Sequence, residues 1–161
     1  MDRIELLCGI LSEESRVCSE LAGVLRQEQE AVIRLRPEAI LLCLEQRNTL
    51  QESLVKLARE RRDLVRAMGE EHGKATTRAS DVLSFLPAEP QSRVRGEMRQ
   101  LRRALLEARG LERQTTLLVG SSLDTVSELL RALRSLLPGV RYGARAEMAV
   151  PPEAETVDRR A

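Results

Sequence analysis

The sequence predicts an all-α fold: a long antiparallel helical hairpin, wound as a coiled coil, packed with a second long helix and one short helix, and ending in a flexible tail. Three observations predict it. A seven-residue apolar repeat runs through residues 4–68 on both sides of Pro37, as helices wound together require. The repeats of the two halves complement each other, defects included. Finally, the 161 residues include one Phe, one Tyr and no Trp. Any core is therefore aliphatic, which suits interlocking helices better than a pocket built on aromatics and converging polar groups. The expected division is a helical domain over 1–137 and a tail over 138–161.

The first helix is expected over about Asp2 to Leu35. Its seam reads Ile4, Leu7, Leu11, Glu14, Cys18, Leu21, Leu25, Glu28, Val32 and Leu35. Pro37 suits the first turn of a second helix, because its missing N–H lacks a helical partner there in any case, and it discourages Arg36 from staying helical. The second seam reads Ile40, Cys43, Arg47, Leu50, Leu54, Leu57, Arg61, Leu64 and Met68. Folding the chain back at 36–39, so that facing residue numbers sum to 75, sets apolar against apolar at seven rungs, from Leu35 with Ile40 to Leu7 with Met68. In that register Glu28 faces Arg47 and Glu14 faces Arg61. Slipping by one heptad would strand four charges against leucines, so the two pairs can act as register pins. Equally, a slight roll of the helices would leave them on a wet rim, contributing roughly 0 to 1 kcal/mol per pair.

Ile10, Val17, Val24 and Ala31 form a second apolar stripe on the first helix, which a two-helix hairpin would leave wet, so a third helix is required. Gly69 is expected to supply the left-handed stop of the second helix. Residues 70–78 read as loop, with His72, the single histidine, solvated. Ser80 can cap a short helix over Asp81 to Leu86 lying across the open end of the hairpin, and Pro87 and Pro90 launch the next element.

The last helix is expected over about Gln91 to Leu137. Its middle, Ala108 to Ser122, is small or polar and holds Gly110 and Gly120, each costing about 1 kcal/mol against alanine, so a bend or break is expected there. Beyond it Leu123, Val126, Leu129, Leu130, Leu133, Leu136 and Leu137 make a leucine face broader than one seam. That face is either ordinary core or a surface for a partner helix. Arg93, Arg95, Arg99, Arg102 and Arg103 read as a solvated face. In the tail Tyr142 is either incidental or a docking anchor.

These features exclude several function classes. Charged residues make up 32% of the chain with a net charge of +1 and mixed signs, without the basic face and stacking aromatics that nucleic-acid binding uses. No apolar run reaches the roughly 20 residues of a membrane span, and the opening residues do not read as a signal peptide. An odd count of three cysteines, Cys8, Cys18 and Cys43, without CxxC spacing, fits a cytoplasmic protein with no disulfide framework or metal site. No nucleophile is paired with a base, so no enzyme and no cofactor is expected.

The chain also resembles the FlgN family of flagellar type III export chaperones. The resemblance rests on the long opening helix with Leu6-Leu7, Glu28 and Ala31, and on Pro37-Glu38-Ala39-Ile40 leading into a Leu and Arg repeat closed by Arg61-Arg62-Asp63-Leu64 and Met68-Gly69. It continues through the short helix at 81–86, a second long helix, and a tyrosine after Leu136-Leu137-Pro138-Gly139. It spans about Asp2 to Tyr142, departing at Gln114-Thr115, where the family often has asparagine, and at Gly143 directly after the tyrosine. The resemblance implies a binding protein for the C-terminal helices of the hook-filament junction proteins, the hook-associated proteins FlgK and FlgL. It would prevent their premature assembly and deliver them to the export gate. Carried over, the leucine face at 123–137 would hold the substrate protein and Tyr142 would contact the gate. The competing class is a structural coiled-coil adapter acting as a constitutive oligomer, and self-association as a homodimer stays open.

Overall fold

The computed structural model describes residues 3–76 and 78–136. The chain divides into two compact units, residues 1–122 and 123–161. Its elements follow in the order α1 (Arg3–Ile33), α2 (Pro37–Glu71), α3 (Ala79–Val82), a 3-10 turn over Leu83–Phe85, and α4 (Ala88–Leu136). All regular structure among the described residues is helical, in agreement with the predicted class. The expected tail, 138–161, lies outside the described residues.

Within the first unit α1 is the helix on which the others pack. Its seam residues Leu7, Leu11, Cys18, Leu21, Leu25 and Val32 are buried. So are Ile10, Val17 and Ala31 of the second stripe, with Val24 half-buried. By contrast α2 buries only Cys43, Val65, Met68 and Gly69, while Leu50, Leu54 and Leu64 pack half-buried against the core. The helix that satisfies the second stripe is the first part of α4, which buries Val94, Leu101, Ala104, Ala108 and Thr115. Arg26 pairs with Glu107, and Gln29 Nε2 donates to the Leu111 carbonyl (3.2 Å) and to Thr115 Oγ1 (3.0 Å). Positions thus rise together along both helices, so this part of α4 runs in the direction of α1 and against α2.

Both ends of the hairpin close with one hydrogen-bond pattern, the Schellman motif. At the tight turn Arg36 N–H donates to the Ala31 carbonyl (3.0 Å) and Leu35 N–H to the Val32 carbonyl (3.1 Å). The motif needs a left-handed residue, and that residue is Leu35, with φ of 51°. Its expected seam role is therefore corrected: α1 stops at Ile33, and Leu35 is 76% exposed in the turn. The physical reason is that Pro37 keeps Arg36 extended, so the reversal must be made within the two residues before it.

A second correction concerns the end of α2. The left-handed residue is Gly73, with φ of 64°, not Gly69. Lys74 N–H donates to the Gly69 carbonyl (2.9 Å) and Gly73 N–H to the Glu70 carbonyl (3.1 Å). Gly69 stays helical and is needed for another reason: a Cβ there would sit 1.9 Å from Thr76 Oγ1 and 2.6 Å from the Lys74 carbonyl. The close approach lets Thr76 Oγ1 donate to the Val65 carbonyl (2.7 Å), fastening the loop onto α2.

The short helix is one turn, entered at Arg78 rather than capped by Ser80. The Asp81 carboxylate accepts from the Arg78 N–H (3.0 Å), tying the N-terminus from inside. Val82, with Leu83, Phe85 and Leu86, packs into the cluster holding Leu7, Met68 and Val94, closing the open end of the hairpin as expected. His72 is exposed but not free: its ring stacks on Phe85 (centroids 4.2 Å apart) and Nδ1 lies 2.8 Å from the Met68 carbonyl. In the first unit α4 runs through Gly110 and Gly120 without the expected break. The polar waist is satisfied from outside, Glu112 by Arg47 (2.9 Å) and Thr115 by Gln29.

Candidate protein-docking face

Leu123, Val126, Leu129, Leu130 and Leu133 of the leucine face sit on α4, where partners three or four residues apart, such as Val126 with Leu129 and Leu130, stack on one side of a helix. Leu123, Val126, Leu129, Leu130 and Leu133 are all exposed, from 49% for Val126 to 62% for Leu123. Leu136 ends the helix; Leu137 and Tyr142 lie outside the described residues. Nothing within the described part of the second unit covers these side chains. Asp124, Glu128, Arg131 and Arg134 supply charges between them, so the segment is amphipathic with its apolar side in water. Burying one such leucine is worth about 1.5 to 3 kcal/mol when complete. Covering the five, each half to two-thirds uncovered, would yield several kcal/mol before the costs of association.

In the first unit the structure brings together the charged residues singled out from the sequence. Arg61 Nε donates to Glu14 Oε2 (2.8 Å) and Oε1 (3.1 Å), and an Arg47 guanidinium nitrogen lies 3.6 Å from Glu28 Oε2. Both pairs join residues whose numbers sum to 75. The two carboxylates are buried, each residue 3% exposed, while the guanidiniums reach partly into water. Burial pushes the Glu14 carboxyl above the usual carboxylate range, against the pull of Arg61. Arg47 also serves Glu112 of α4, so one guanidinium links all three long helices. Sequence reasoning missed that link, since nothing in the repeat of one hairpin reports the register of a third helix.

It also missed a group of apolar residues around the turn: Ile33, Leu41 and Leu42 are exposed together with Leu35. The signal was present, because Ile33, Leu41 and Leu42 are large apolar residues that fall off both seams.

The thiols of Cys8, Cys18 and Cys43 are buried, and none of the three is in a disulfide. Burial raises the thiol pKa of Cys18, helped by Glu14, and that of Cys43, helped by Glu28, which keeps both protonated and unreactive. Among the described residues no three His, Cys, Asp or Glu side chains converge as a metal site would. No described helix is long and apolar enough to cross a membrane.

Neither the curated proteins nor the solved structures include one that matches this chain. The model of one family, described as FlgN protein, matches residues 1–149. The match covers all of the aliphatic hairpin and the third helix laid along it. The chain belongs to the FlgN family of flagellar export chaperones, which bind rather than catalyse.

Proposed function

We propose that this chain is a cytoplasmic chaperone that takes the C-terminal helices of hook-filament junction proteins, FlgK and FlgL, onto Leu123, Val126, Leu129, Leu130, Leu133, Leu136 and Leu137. The observation that carries the reading is the exposure of five large apolar side chains along one amphipathic helical segment. Junction-protein termini must bundle with helical neighbours in the assembled filament, so a leucine face can stand in for a missing neighbour until delivery. A half-covered apolar face gives affinity without permanence, as a releasable cargo requires. Tyr142 is assigned to the export gate. Glu14–Arg61 and Glu28–Arg47 are assigned to holding the hairpin in register, a use of buried ion pairs that depends on the cost of misplacing them rather than on net stabilisation.

The test is a titration of the full chain with the C-terminal segments of FlgK and FlgL. The double variant Leu129→Asp/Leu133→Asp is expected to bind at least about 100-fold more weakly, because two charges would enter an apolar contact. Its melting temperature should match that of the parent chain. Undiminished binding would remove the face from the site. Tyr142→Ala should keep cargo binding and lose the gate contact. A second copy of the chain is the competing occupant: light scattering showing a stable dimer that the double variant dissociates, without any capture of cargo, would favour the adapter reading.

A further inference from the structure

A second surface, in the first unit and separate in its residues from the leucine face, combines an apolar floor with unpaired positive charge. A groove of about 590 Å³ runs along the start of α4, floored by Leu83, Ala88 and Met98 and walled by Arg95, Arg99 and Arg102. The arginines recur at intervals of four and three, so they line one side of about 10 Å of helix. All three are exposed. Among the described residues none of them forms an ion pair, although arginines elsewhere on the surface, such as Arg3, Arg16 and Arg26, do. Residues 93–103 hold five arginines against Glu97 alone, a local charge of +4 in a chain whose total is +1. The stripe continues to Leu106, another exposed leucine one turn beyond Arg102.

We infer that this groove is a docking site for an acidic amphipathic helix of a partner protein, which seats apolar side chains against Met98 and Leu106 and sets carboxylates on Arg95, Arg99 and Arg102. Charge complementarity selects the occupant. Guanidiniums pair with carboxylates in a forked geometry and lose less hydration on docking than ammonium groups. A membrane surface fits less well, since the positive charge lines a concave groove and, among the described residues, Phe85 beside it is half-buried. The chain's own residues 138–161 fit less well too, since their four arginines balance their four acidic residues. The site is independent of the cargo assignment and would allow a second protein to be held while the leucine face is occupied.

The experiment titrates the full chain with a labelled 16-residue amphipathic helix bearing leucines on one side and glutamates flanking them. Affinity is expected to fall at least about tenfold in Arg95→Glu/Arg99→Glu/Arg102→Glu and to weaken with salt. The variant Leu129→Asp/Leu133→Asp should leave the affinity unchanged, which separates this site from the cargo face. Circular dichroism checks that the triple variant is folded, and the milder Arg99→Gln, expected to lose about two- to threefold, serves if it is not. Equal binding of the same peptide with lysines for glutamates would overturn the proposal. So would absence of binding, displacement of the probe by a peptide of residues 138–161, or binding only to vesicles containing phosphatidylglycerol.

Discussion

The portion of α4 in the first unit and the portion in the second invert the usual relation between hydrophobicity and burial. From Val94 to Thr115 the buried residues include two alanines and a threonine. From Leu123 to Leu133 the residues are the bulky ones, and they are exposed. Small side chains let α4 lie close to α1 and α2, and its hydrogen bonds to Gln29 and Arg47 secure it where apolar contact is thin. Where the leucines begin, nothing in the described part of the second unit covers them. Hydrophobic patterning therefore states what a segment wants covered, while the chain's own geometry decides whether it supplies the cover. An apolar face that the described residues leave open is the kind of surface that interaction sites use.

The sharpest way to break that contrast is to make the same substitution on both sides of it. Leu101→Ala, in the packed portion, should destabilise the chain by about 3 kcal/mol through lost burial and a residual cavity. Leu129→Ala should change stability by less than about 0.5 kcal/mol. Urea unfolding followed by circular dichroism measures both, and a large loss at Leu129 would mean the face is core after all.

A second test asks what holds the hairpin on which the packed portion lies. Arg61→Met leaves the buried Glu14 carboxylate without its partner and should cost about 2 to 3 kcal/mol at pH 7. Glu14→Gln keeps hydrogen-bonding capacity and should stay within about 1 kcal/mol of the parent. The pH dependence carries a definite sign. Because the Glu14 carboxyl is raised in the folded chain from its ordinary value of 4.5, its stabilising contribution is fully present below pH 4.5 and is lost as pH rises through the folded value. The melting temperature of Glu14→Gln relative to the parent should therefore rise between pH 4 and pH 7, and a fall would contradict the burial argument.

A small gain is expected at the tight turn. Leu35 holds a left-handed conformation that glycine adopts freely, and its exposed side chain contributes little packing. Leu35→Gly should therefore stabilise the hairpin by about 0.5 to 1 kcal/mol, read from the midpoint of urea unfolding.

What the sequence made legible follows from which distances along the chain matter. The seams of α1 and α2 were readable because consecutive helices joined by a short turn have one reversal, and Pro37 fixes where it falls. The ion pairs Glu14–Arg61 and Glu28–Arg47 could be read off the same reversal. Leu35 and Gly69 were misassigned because a Schellman closure is set by hydrogen bonds spanning six residues, which apolar periodicity does not record. The pairing of Gln29 with Thr115 and of Arg47 with Glu112 was illegible for a related reason: the loop and turn at 72–87 allow α4 many registers. The leucine face was visible as composition, but its exposure depends on which segments pack beside it, which no local pattern encodes.

The clasp between Thr76 and Val65 has a wider meaning for how the molecule tolerates change. One missing methyl group at position 69 is the keyhole through which the connecting strand of chain reaches α2. Fill it, and both Thr76 and the Lys74 carbonyl must give way, loosening the loop from α2. The end of α2 thus has no room at position 69 for any side chain, and the loop's anchorage depends on the smallest residue there is.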